Sequence, residues 1–66
     1  MKIICNGKEM AVREGISLED LIMDLQLNPA MVVAECDNRI VLREEYAQKI
    51  LSEGAVLELI RFVGGG

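Results

Sequence analysis

One stretch of this chain repeats its apolar residues with helical spacing. Leu18, Leu21, Ile22 and Leu25 fall at i, i+3, i+4 and i+7, a single stripe with Glu19, Asp20 and Asp24 on the opposite side. Ser17 followed by Asp20 resembles a capping box with Asp in place of Glu, so the spacing predicts a helix that starts there. Asn28-Pro29 ends it, or the turn after it. A helix with one apolar face needs one apolar surface beneath it, and the short apolar runs in the rest of the 66 residues must supply that surface. At this size roughly 60% of the unfolded chain's surface can be buried. The chain is therefore one domain with one core, and it has no room for a deep catalytic cleft.

The remaining apolar runs alternate as strands do. Met1 to Cys5 and Lys8 to Arg13 flank Asn6-Gly7, a dipeptide suited to the positive φ angles of a two-residue hairpin turn. Ile3 and Cys5 share one face, as do Met10 and Val12 in the returning strand, while Lys2 and Ile4 face the other way. Met31 to Cys36 is a further strand, with Val32, Ala34 and Cys36 inward, and Asp37-Asn38 turns it into the short piece Arg39-Ile40-Val41. Arg43 to Ala47 reads as a helical turn or ordered loop, with Tyr46 over the core edge and its hydroxyl available to a loop backbone. Ser52-Glu53-Gly54 turns the chain into its longest apolar segment, Ala55 to Val63, which points Leu57 and Leu59 to the core and Glu58, Ile60 and Phe62 away from it. This order predicts an α+β layer, a mixed sheet of four to five strands with one main helix packed across one face. If the first and last strands lie side by side and parallel at the sheet centre, Ile4, Ile60 and Phe62 cluster on the face away from the helix.

Composition narrows the chemistry. There is no histidine, which removes the usual metal ligand and the side chain best suited to proton transfer near neutral pH. The acids at the start of the helix suit its dipole and read as a capped, solvated face, not as catalytic carboxylates. The net charge of −4 disfavours nucleic-acid binding and favours basic protein partners. No apolar run approaches the length of a membrane span, and no signal-peptide pattern opens the chain, so a cytoplasmic location is expected. Cys5 and Cys36 form no CxxC motif and read as small apolar residues of a reduced core.

The last strand runs into Gly64-Gly65-Gly66. Without side chains, these residues are slender enough to enter a channel that any larger side chain would block. The division expected is a folded domain over 1–63 and a flexible glycine tail over 64–66.

The Asn-Gly hairpin, the Ser-capped helix, the Glu-Gly turn and above all Phe62-Val63-Gly64-Gly65-Gly66 resemble, over the whole chain, the small β-grasp sulfur carriers related to ubiquitin, and among them the ThiS-type carriers of thiamin biosynthesis. The resemblance implies a β-grasp fold and a protein cosubstrate with no catalytic side chains of its own. It implies that Gly66 is the true terminus and carries the covalent change. A ubiquitin-activating-type adenylyltransferase (ThiF-like), using ATP and magnesium, converts the terminal carboxylate to an acyl adenylate. Sulfur from a donor such as a cysteine desulfurase then makes a thiocarboxylate, which thiazole synthase (ThiG-like) consumes. By the same resemblance, Gly64 and Gly65 are expected to thread the tail into both enzymes, and the carrier itself is expected to hold no cofactor or metal.

The outward Ile4, Ile60 and Phe62 then become a candidate docking patch beside the tail, with Arg61 and Val63 guiding it. Leu42 stands where relatives often carry proline in a Val-Pro-Arg sequence, which bears on the loop after Val41. Two neighbouring roles remain open from the same end: a carrier for molybdopterin or amino-acid sulfur, and a ubiquitin-like modifier attached to lysines of other proteins.

Overall fold

The computed structural model describes residues 1–62. The expected continuation of the last strand to Val63, the glycine tail and the boundary between them lie outside the described residues.

Five strands, β1 (Lys2–Cys5), β2 (Lys8–Ala11), β3 (Val32–Cys36), β4 (Arg39–Val41) and β5 (Val56–Arg61), form one sheet in the order β2-β1-β5-β3-β4. The helix α1 (Leu18–Asp24) covers one face. The last strand is central, parallel to β1 on one side and antiparallel to β3 on the other. The expectation of a mixed sheet with one helix, and of the first and last strands side by side and parallel, holds. This is the β-grasp arrangement.

Both hairpins turn where the local chemistry demands it. Asn6 and Gly7 have φ of 52° and 81°, and Asp37 and Asn38 have φ of 50° and 69°. These are the left-handed conformations that a two-residue hairpin with the right twist needs and that Gly, Asn and Asp tolerate best. Ile3, Cys5, Val32, Ala34, Cys36, Leu57 and Leu59 face the helix and are buried with Leu18, Leu21 and Ile22. Ile16, Leu51 and Ala55, from the connections, close the core margin.

The helix is shorter than the apolar stripe predicts. Ser17 caps it by accepting the Asp20 amide at 3.0 Å. At the other end Leu27 N donates to Ile22 O and Gln26 N to Met23 O, with Gln26 at φ 62°. This is the Schellman pattern, in which the residue after the cap turns left-handed and the next apolar residue folds back on the last turn. Leu25 is therefore the cap rather than the fourth residue of the stripe. It is 36% exposed, and Leu27 packs against the core in its place.

Candidate functional site

The segment that leads to the glycines is held on both sides by different devices. On the β3 side the ladder runs to the end of the strand, with Ile60 opposite Val33 and Arg61 opposite Val32, and Phe62 N then donates to Met31 O at 2.9 Å. On the β1 side the ladder stops early, because β1 turns at Asn6. The Asn6 side chain takes over: Leu59 N donates to its Oδ1 at 2.8 Å and its Nδ2 donates to Leu59 O at 3.3 Å. A primary amide offers the same donor and acceptor as a peptide unit, so one side chain continues the sheet beyond its last paired residue.

A second substitution of this kind steadies β3. The buried Tyr46 hydroxyl donates to Val32 O at 2.8 Å and accepts from Ala34 N at 3.1 Å. β4 ends at Val41, opposite Ala34, so the hydroxyl satisfies β3 backbone groups where the edge strand has run out. The sequence places Tyr46 at the core edge as expected, but its partner is a strand rather than a loop. Leu42 adopts φ −72°, an angle that a proline would also impose, and its amide donates to Glu45 Oε1 at 3.3 Å. The loop after Val41 thus has the φ that a proline there would adopt, while the Leu42 amide makes a hydrogen bond that a proline could not donate.

The expected docking residues separate into two groups. Ile60 and Phe62 are 60% and 47% exposed at the end of β5, on the face away from α1, and Arg61 lies exposed between them in sequence. Ile4 is not beside them. Its register partner is Val56, four residues earlier on β5, which is roughly 13 Å along the strand at the usual rise. The cluster of Ile4, Ile60 and Phe62 is thus corrected: a parallel neighbour shares the sheet, but its register sets how far along the strand it reaches. The apolar side chain opposite Ile60 is Val33. Ile40 and Leu42, both exposed and overlooked in the sequence reading of the patch, lie at the β4 side of the same sheet. Their signal was their position either side of Val41, the inward residue of a short edge strand. Val63, Gly64, Gly65 and Gly66 lie outside the described residues.

Neither cysteine is placed for chemistry at this end. Both are buried and free, and both pair with Leu57 from opposite sides, Cys5 on β1 and Cys36 on β3. Burial pushes the Cys5 thiol above its ordinary value of 9.0, with a smaller push from Glu58. Burial also raises the Cys36 thiol, helped by Asp37 and opposed by Lys49. A pocket of about 380 Å³ beside β4 reaches Cys36, at the far end of the β3–β5 ladder from Arg61. Among the described residues no three His, Cys, Asp or Glu side chains gather as a metal site, and no helix is long and apolar enough to cross a membrane.

Comparison with known proteins agrees with this architecture. The model of the ThiS family matches residues 3–66. The chain is 32% identical over 62 residues to the sulfur carrier protein ThiS of Bacillus subtilis, covering 92% of this chain and 94% of that one. It is 33% identical over its whole length to part of the thiazole synthase of Paramagnetospirillum magneticum, and spans 20% of that protein. The crystal structure of a thiamine biosynthesis protein (ThiS) from Geobacter metallireducens matches with a TM-score of 0.84, 26% identity and full coverage of both chains. Over nearly its entire length, in sequence and in the β-grasp fold that carries β5 to the glycines, this chain belongs to the ThiS family of sulfur carriers.

Proposed function

We propose that the chain carries sulfur for the thiazole of thiamin as a thiocarboxylate at Gly66. A free carboxylate is a poor acyl donor because attack would have to expel oxide. Transfer of AMP from ATP to the carboxylate, by a ThiF-like adenylyltransferase with magnesium and with release of pyrophosphate, replaces oxide with a good leaving group. The terminal sulfur of a persulfide, formed by a cysteine desulfurase or a related donor, then attacks the acyl carbon and expels AMP. Cleavage of the resulting S–S bond by a second thiol releases the thiocarboxylate, and the two donor sulfurs end as a disulfide. The thiazole synthase takes the sulfur from there. The carrier's residues position the reacting carbon: Gly64 and Gly65 thread the active sites, while Ile60, Phe62 and Arg61 offer the surface that docks.

The observation that carries this reading is the central strand β5, anchored by β3 and by Asn6, in a chain whose family match extends through the glycines to residue 66. The choice of thiazole synthase as acceptor is supported by the thiazole synthase in which a segment like this chain forms a fifth of the protein. Deletion of Gly65 and Gly66 tests the proposal in a strain whose thiamin synthesis depends on this chain. The expected result is loss of thiamin-independent growth with an unchanged melting temperature, and undiminished growth contradicts the proposal. If the partner bound is instead the large subunit of molybdopterin synthase, with no binding to thiazole synthase, the pathway assigned is the wrong one.

A further inference from the structure

The open face of the sheet carries a pattern that the fold does not require. Glu35 of β3 and Glu58 of β5 are direct register partners, and like charges placed opposite one another destabilise a sheet. Among the described residues the salt bridges join Lys2 to Glu9 and Arg13 to Asp20 and Asp24, so neither member of the Glu35–Glu58 pair is neutralised. On the far side of Glu35 its partner is Ile40, 68% exposed. Two residues along β5 from Glu58, exposed Ile60 faces Val33. The carboxylates are thus bordered by apolar side chains on two sides, in a chain of net charge −4.

Such a surface costs the free domain twice, through charge repulsion and through apolar area left in water. A partner that presents a cationic side chain set among apolar ones removes both costs. We propose that this face docks on thiazole synthase, with Glu35 and Glu58 together receiving one basic side chain while Ile40 and Ile60 pack around it. The proposal rests on the sulfur-carrier reading above. The charge complement defines the chemistry of the partner surface. The thiazole synthase that includes a segment matching this whole chain supplies the reason to commit to that enzyme.

The test is titration calorimetry of the full chain against the thiazole synthase of the same organism, at low and at physiological ionic strength. The double variant Glu35→Gln/Glu58→Gln is expected to bind about tenfold more weakly at low ionic strength and to lose most of the salt dependence of the wild type. The free variant is expected to melt at or above the wild-type temperature, because the repulsion is gone. Ile40→Thr is expected to weaken binding while keeping the salt dependence. Unchanged affinity and salt dependence in the double variant overturn the proposal. So does a double variant that melts below the wild type, since the pair would then be part of what holds the fold. If the wild-type chain supports thiazole formation in a reconstituted reaction and these positions make no difference, only the docking proposal fails. If it supports no thiazole formation and forms no complex, the sulfur-carrier reading fails with it.

Discussion

Two side chains in this domain act as pieces of backbone, and the stability of the sheet depends on them individually. Tyr46→Phe keeps the ring and removes the one atom that serves both Val32 O and Ala34 N in a buried site. Leaving two such groups unpaired is expected to cost about 2–3 kcal/mol. In a domain of this size that lowers the melting temperature by roughly 10 °C or more; a shift below about 2 °C in a calorimetric scan contradicts this assignment. The cysteines make a different residue-scale prediction. Folding raises both thiol pKa values, so the folded chain holds these protons more tightly than the unfolded chain. The stability linked to them is complete below the ordinary value of 9.0 and is lost as pH rises through the raised values. Urea midpoints measured across the alkaline range should fall, and Cys5→Ala/Cys36→Ala should flatten the fall. A wild-type midpoint that stays level there contradicts the shifts. Since each cysteine neighbours Leu57 from a different strand, their Cα atoms are about two strand spacings apart, roughly 10 Å. That exceeds the reach of a disulfide, so mild oxidation leaves the monomer without an internal bridge.

At the scale of elements, the end of α1 and the register of β5 show what could be read from the chain alone and what could not. The hairpin turns at Asn6-Gly7 and Asp37-Asn38 were legible because a positive φ restricts which residues can stand there. The start of α1 was legible from Ser17, and the inward faces of β1, β3 and β5 from period-two alternation. The helix stop was not, because a left-handed residue at this position is most often Gly and here it is Gln26. That mismatch makes a prediction: Gln26→Gly relieves the left-handed strain and stabilises the domain by about 1 kcal/mol, and a destabilised variant contradicts the assigned cap. The place of Ile4 was illegible for another reason. The register between β1 and β5 is a contact between residues far apart in sequence, and no local turn dictates it. The exposed apolar group at the end of β5 is Ile60 and Phe62, with Val33 opposite Ile60 and without Ile4, and this is the surface proposed to dock. Ile60→Asp and Phe62→Asp are expected to weaken binding to the adenylyltransferase by about tenfold or more while the domain still unfolds cooperatively. Loss of cooperative unfolding in either would place that residue in the core, against its observed exposure.

For the whole molecule, the fold explains how so small a chain holds the segment up to Phe62 in place. The last strand to be written in the sequence is the middle strand of the sheet, so the segment entering the glycines is fastened by β3 along its length and by Asn6 where β1 ends. The one helix insulates the other face of that strand, which leaves the open face for partners. What the sequence conveyed at this scale was the number and order of elements and the chemistry suggested by the terminal glycines. What required the structure was the distribution of exposed groups over the open face, where Glu35 meets Glu58 and Ile60 meets Val33. The proposed function makes the carboxylate carbon of Gly66 the reacting atom. Top-down mass spectrometry of the chain after incubation with the adenylyltransferase, ATP, magnesium, a persulfide donor and a reducing thiol addresses it directly. The expected result is a gain equal to one oxygen-to-sulfur exchange, mapped to Gly66. A sulfur found on Cys5 or Cys36, or a Gly66 joined to lysine in higher-mass species, contradicts it.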